Sequence, residues 1–201
     1  MERPILFNTA MVEAILEGRK TQTRRLVKNS LLQHSAEDED RLWIEDENGE
    51  YCRSEEYAPV QPGDTLYVRE TWKQAIQIFD MFPLQSYYIY KAGEQKKSPL
   101  MIPESKWRPS IHMPKAAARL WLRVKDVRCE RLQDITEEDA EKEGLYKGWK
   151  PTPESSEANS ARQAFMWLWD TTTDRGSFWN EWAGDPWVWV IEFERIEGPT
   201  P

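Results

Sequence analysis

The chain has 201 residues, 39% of them hydrophobic, which suffices for one domain with a sizeable core. No apolar run approaches the roughly 20 residues that cross a bilayer, and the opening Met1–Phe7 stretch lacks a signal-peptide core, so a cytoplasmic protein with no membrane partner is expected. A net charge of −8 weighs against indiscriminate binding to duplex DNA, and two cysteines (Cys52, Cys129) with two histidines (His34, His112) are too few for a disulfide framework or a zinc site, so no metal and no cofactor is expected.

In chain order, Asn8 or Thr9 caps a short helix over about 11–17 in which Val12, Ile15 and Leu16 share a face, and Gly18 stands where a left-handed stop belongs. A basic, threonine-rich segment follows at once. Residues 33–58 are acidic, and Leu42-Trp43-Ile44 and Tyr51-Cys52 flank Asn48-Gly49, which predicts an inserted hairpin facing solvent. Pro62-Gly63-Asp64 is a turn into a strand with Leu66 and Val68 on one face. Tyr87–Tyr90 reads as a strand, and 92–109 as a loop too long for a tight hairpin. Arg119–Val127 is the clearest strand: Leu120, Leu122 and Val124 take one face, and Arg119, Trp121, Arg123 and Lys125 take a cationic outer one. Thr136 opens a helix over 136–143 that stops at Gly144, and 148–160 is a linker-like loop. Ser160 with Gln163 opens a further helix striped by Ala161, Ala164, Phe165 and Leu168, and Trp187–Phe193 is apolar enough for a central strand. The fold expected is a single α+β domain.

Charge is unevenly spread. Residues 1–28 carry six basic against three acidic side chains and residues 106–131 eight against two, whereas 29–60 carry two against ten and 134–158 three against eight. The two basic stretches form one positive face if the fold brings them together; the alternative is two ordinary solvated surfaces.

Four segments carry a resemblance to a known family. They are Ile15–Arg25 with its Lys20-Thr21-Gln22-Thr23 core, Pro62–Trp72, Trp107–Pro114 continuing through Val124 to Ile135–Gly144, and the closing Pro186–Phe193 strand. In this order they resemble the ASCH family of the PUA-like superfamily, and the form with Trp107-Arg108-Pro109 is similar to the long members common in phage and prophage genomes. The resemblance implies a mixed β-barrel flanked by short helices, with a cleft for RNA or a modified nucleoside or nucleotide. Members differ in activity, so the fold does not fix the chemistry.

One branch of that family is similar to amidohydrolases of N4-acylated cytidine that use a lysine base, a threonine nucleophile and a glutamate acid. Matched through the Lys-Thr-x-Thr signature and the helix ending in Glu-Gly, these roles fall on Lys20, Thr23 and Glu143. The chemistry is coherent: neighbouring Arg19, Arg24 and Arg25 favour a neutral amine at Lys20, and the helix C-terminus with Glu137, Glu138 and Glu141 favours a protonated Glu143. The competing reading makes Lys20 a phosphate contact, Thr23 a strand residue and Glu143 a solvated surface acid. In a regular strand Lys20 and Thr23 face opposite sides, so their convergence requires a turn or bulge after Gly18.

Thr21, Arg24 and Arg25 belong to the same binding segment, Arg25 and Arg69 are the foremost anion contacts, and Glu70 and Trp72 are placed at the cleft mouth. Trp121, Arg119 and Arg123 form the outer face, with Trp121 as a stacking platform for a base. Three functions stay open: an RNA or nucleobase binding module, a hydrolase (amidohydrolase or ribonuclease) on the same cleft, or a phage assembly protein using tryptophan-rich loops around Trp179 and Trp182.

Overall fold

Two long strands organise the molecule because their residues are apolar at nearly every core-facing position. In the computed structural model, which describes residues 1–32, 35–38, 41–77, 86–93, 101–103, 106–172 and 180–198, β10 (Trp121–Arg131) pairs antiparallel with β11 (Trp187–Ile196). A register shift between Val124 and Asp126 adds a bulge that bends the pair. On the far side of β11 lies β2 (Gln22–Leu26), and on the far side of β10 lies β6 (Thr65–Arg69), itself parallel to β1 (Glu2–Leu6). The order β1-β6-β10-β11-β2 puts β11 inside the sheet, as its unbroken run of buried residues from Trp187 to Ile191 requires.

The class is mixed α+β, mostly sheet. Among the described strands no barrel closes: β1 and β2 are the two edges of an open sheet, and a side chain rather than a backbone ladder spans them, Arg25 Nη2 donating to Leu6 O at 3.0 Å. Two smaller sheets flank it, β3 (Ser35–Asp38), β4 (Arg41–Glu45) and β5 (Tyr51–Arg53) in one, and β7 (Trp72–Gln77) between β8 (Ser86–Tyr90) and β9 (Met101–Pro103) in the other. The second places a strand inside the stretch read from sequence as the 92–109 loop, of which residues 94–100 and 104–105 lie outside the described residues.

The 33–58 insert is not the solvent-facing hairpin expected. The Asn48-Gly49 turn is there, held by Asp46 Oδ1 accepting from Asn48 N and Glu50 N, both at 2.8 Å. Leu42 and Ile44, however, are 3% and 1% exposed and belong to the main core, so β4 turns one face inward.

The helices follow their caps. Asn8 accepts from Met11 N at 2.9 Å to open α1 (Thr9–Leu16), and Gly18 at φ 77° ends it. Thr136 accepts from Asp139 N at 3.1 Å to open α3 (Glu137–Lys142). A third helix, α4 (Ala161–Thr172), starts at Ser160, whose hydroxyl accepts from Gln163 N, while Gln163 reaches back to Asn159 N rather than to the cap residue itself. A four-residue turn of helix, α2 (Asn29–Leu32), follows β2. Ala161, Ala164, Phe165 and Trp169 bury the inner side of α4, and Trp182 packs on Phe165 with ring centres 6.3 Å apart; Trp179 lies outside the described residues. Among the described residues no helix is long and apolar enough to cross a membrane.

Candidate functional site

The junction between α1 and β2 decides the site. After Gly18 the chain does not enter a regular strand: Lys20 N and Arg19 N both reach back to Ala14 O, and Lys20 forms a lone antiparallel bridge with Glu143 before β2 begins at Gln22. This break is the irregularity that lets Lys20 and Thr23 line one cavity. Close packing enforces it. Gly144, at φ 92°, has no room for a side chain, since a Cβ there falls 2.7 Å from Ala14 Cβ and 3.1 Å from Lys20 Cβ.

Lys20 and Glu143 form a buried ion pair, Nζ to Oε2 2.7 Å, with side chains 1% and 5% exposed. Lys20 Nζ also donates to Gln22 O at 2.7 Å and to Glu143 O at 3.0 Å, so all three protons of an ammonium have acceptors. Burial holds Lys20 below the ordinary lysine range; Glu143 opposes that, and Arg25 and Arg24 add to it. The other carboxylate oxygen of Glu143 accepts from Arg24 Nη1 at 3.2 Å. Arg24 in turn is paired with Glu130 and lies 3.5 Å from Asp139, a carboxyl that burial pushes up but that Arg24 and Arg128 hold, on balance, below its usual range. The surroundings of Glu143 are therefore two cations, not the acidic neighbours read from sequence. Glu137 is turned away, capping α4 through Ala161 N and Arg162 N.

The cavity, partly open to solvent, measures about 700 Å3. Its charged side is Lys20, Arg24, Arg25 and Glu143 with the Thr23 hydroxyl; its apolar walls are Phe7, Met11, Phe165 and Trp169; Thr71, Pro109 and Ser110 form the rim opposite β2. Lys20 and Arg25 both sit against the Phe7 ring, 5.4 and 5.2 Å from its centre. Thr23 Oγ1 accepts from Arg25 Nη1 at 2.8 Å and keeps its own proton to donate.

The other residues singled out from sequence disperse. Thr21 is exposed on the far side of the bridge, where its backbone ties α3 to β11 through Lys142 O and Phe193 N. Arg69 donates to Ile111 O. Glu70, 1% exposed, and Trp72, 3% exposed, are not at an open mouth. Glu70 is clamped by both arms of Arg119 at 2.8 and 2.9 Å, and Trp72 centres a small separate core with Met113 and Ala117.

Trp121 is not an exposed platform either. It is 6% exposed, packed at 5.9 Å against the tilted ring of Tyr67, and covered by Gly198, where a Cβ would fall 2.5 Å from its ring. Arg123 is exposed but pairs across the sheet with Glu194, whereas Arg25 pairs with Trp189, itself opposite Cys129. Six residues of strand, roughly 20 Å, thus separate the two arginine positions, so Arg123 does not share a face with Arg25.

Sequence reasoning missed the Glu130, Asp139 and Arg128 network behind Arg24; alternation of charge along β10 was its one signal. It also missed the apolar wall from α4.

What these groups define together is a mixed α+β domain with a cavity of small-molecule size, lined by aromatics and by a buried lysine–glutamate pair. No family model matches the chain, and no curated protein and no solved structure matches it.

Chemically, a shift of one proton over the 2.7 Å from Lys20 Nζ to Glu143 Oε2 converts ammonium and carboxylate into amine and carboxylic acid without changing the net charge. One contact thus supplies both a base and an acid.

Proposed function

We propose that this chain binds a nucleobase-bearing ligand in the cavity between β2, α1 and α4, on a PUA-like fold of ASCH type. The observation that carries the reading is the cavity itself. About 700 Å3 lined by Phe7, Phe165 and Trp169 matches the size range of small-molecule sites, and Lys20, Thr23, Arg25 and Glu143 supply a few fixed polar groups for a base edge. A cavity of this volume takes one base or nucleoside at a time. The test is a binding screen of unmodified and modified nucleosides by calorimetry. Saturable binding that Phe165→Ala weakens by tenfold or more supports the reading, and no binding by any nucleoside or nucleotide removes it.

A second reading, hydrolysis of an N4-acylcytidine, is favoured by one further observation: Lys20, Thr23 and Glu143 line the same cavity. In this scheme Lys20, having passed a proton to Glu143, takes the Thr23 hydroxyl proton, and Thr23 Oγ attacks the acyl carbon while Arg25 steadies the developing alkoxide. The C–N bond breaks as Glu143 protonates the leaving amine, and water then cleaves the Thr23 ester to release the acid. Thr23→Ser keeps turnover. Lys20→Arg abolishes it, because a guanidinium does not give up its proton. Binding without turnover of any acylated cytidine leaves the binding module alone.

A further inference from the structure

The cavity holds three cations and one anion, and their pairings are unequal. Lys20 is matched by Glu143, and Arg24, besides its contact to Glu143, is matched by Glu130 and Asp139. Arg25 has no such partner. Its guanidinium donates to Thr23 Oγ1 at 2.8 Å, Arg24 O at 2.9 Å and Leu6 O at 3.0 Å, all uncharged oxygens, and among the described residues no carboxylate reaches ion-pair distance. The group is half-buried against Phe7, so its charge is partly stripped of water without an opposite charge to offset the loss. Burial lowers its proton affinity, with Glu143 opposing, yet an arginine stays charged at neutral pH.

Arg69, the other arginine that sequence marked for anions, is committed to Ile111 O, and Arg119 of the outer face to Glu70. A half-desolvated guanidinium held in a cavity wall, with the Thr23 hydroxyl beside it, is a seat for anionic oxygen: an incoming phosphate regains the Coulomb energy that burial withheld.

Resting on the nucleobase reading above, we infer that the ligand of this cavity is a phosphate-bearing nucleotide, with Arg25 as the phosphate contact, rather than a neutral nucleoside. The phosphate is either that of a mononucleotide or a diester within a single strand. A strand has somewhere to continue. From the rim residues Thr71 and Pro109, the chain runs directly into Trp72-Lys73 and back to Trp107-Arg108, joined by Arg108 N to Trp72 O at 2.7 Å. Trp107 is 41% exposed there with Lys73 Nζ 4.5 Å from its ring centre.

The experiment compares cytidine, cytidine 5′-monophosphate and a cytidine trinucleotide by calorimetry at two salt concentrations, on wild type, Arg25→Met and Arg25→Lys. The expected result is that wild type binds the monophosphate at least tenfold tighter than the nucleoside. That ratio falls to near one in Arg25→Met and is partly kept by Arg25→Lys, which also guards against a variant that merely folds poorly. A trinucleotide tighter than the monophosphate, with the excess lost in Lys73→Ala, assigns the phosphate to a strand; equal affinities assign it to a mononucleotide.

Equal affinity for nucleoside and nucleotide, or a ratio that survives Arg25→Met, overturns the inference while the nucleobase reading stands. Inorganic phosphate separates the reverse case. If no nucleoside or nucleotide binds but phosphate raises the melting temperature of wild type and not of Arg25→Met, the nucleobase reading fails and Arg25 remains an anion site for another ligand. If phosphate too has no effect, both fail.

Discussion

Removing Lys20 and removing Glu143 carry different costs, and their order tests the charge arrangement. Both side chains are almost fully buried and 2.7 Å apart, so deleting either leaves an unmatched charge, typically a loss of about 3–5 kcal/mol. In Lys20→Met the carboxylate keeps Arg24 at 3.2 Å, which places the cost near the low end, about 3 kcal/mol. In Glu143→Leu, Arg24 keeps Glu130 and Asp139, but Lys20 keeps only two carbonyls and no anion. Its cost is capped by the option of losing its proton, about 3.5 pH units between neutrality and an ordinary lysine at about 1.36 kcal/mol each, or about 5 kcal/mol. For a domain this size that separates the two variants by roughly 4–8 °C in melting temperature. The double variant should lie well short of the sum, with a coupling of about 2–3 kcal/mol. Urea unfolding followed by tryptophan fluorescence measures all three. Lys20→Met costing more than Glu143→Leu, or strictly additive losses, would refute the reasoning.

Arg119→Ala strands Glu70 in the core and should cost about 3–5 kcal/mol, whereas exposed Arg123→Ala should stay within about 0.5 kcal/mol and leave ligand affinity and its salt dependence unchanged; urea midpoints and salt-series titrations check both. Trp121→Ala should lose about 3–5 kcal/mol of stability with no change in ligand affinity, since its ring is packed under Gly198. Gly144→Ala should cost about 2–4 kcal/mol, combining a left-handed alanine with the collision against Ala14, and should weaken ligand binding by displacing Lys20. Burial pushes the Cys129 thiol up to about 12, so between about pH 9 and 12 the unfolded chain releases a proton that the folded chain keeps. Stability should therefore fall as pH rises through that window, and Cys129→Ala should flatten the fall in urea midpoints measured from pH 8 to 10.5.

Elements with local causes were legible in the sequence. Asn8, Thr136 and Ser160 cap helices because a side-chain oxygen three residues upstream of a free backbone N–H is a purely local geometry. The interior position of β11 followed from its unbroken apolar run. Lys20 and Glu143 were paired by family likeness alone; no periodicity connects positions 123 residues apart, and the bridge between them arises only when α3 docks beside the α1–β2 junction. Alternation placed Trp121 on the outer face of β10, but it carries no information on what covers that face, and Gly198 does. Likewise a count of basic residues over 106–131 is blind to Glu70 cancelling Arg119, and to the length of strand that separates Arg123 from Arg25.

The most direct test of the central claim is a backbone 1H–15N correlation titration with cytidine 5′-monophosphate and its N4-acetyl derivative. The account predicts saturable shifts confined to residues 6–11, 20–26, 71–73, 107–110, 143–145 and 165–172, the segments that line the cavity and its rim. Shifts that map instead to the 35–57 sheet or the Arg123 end of β10, or none at millimolar ligand, would contradict it.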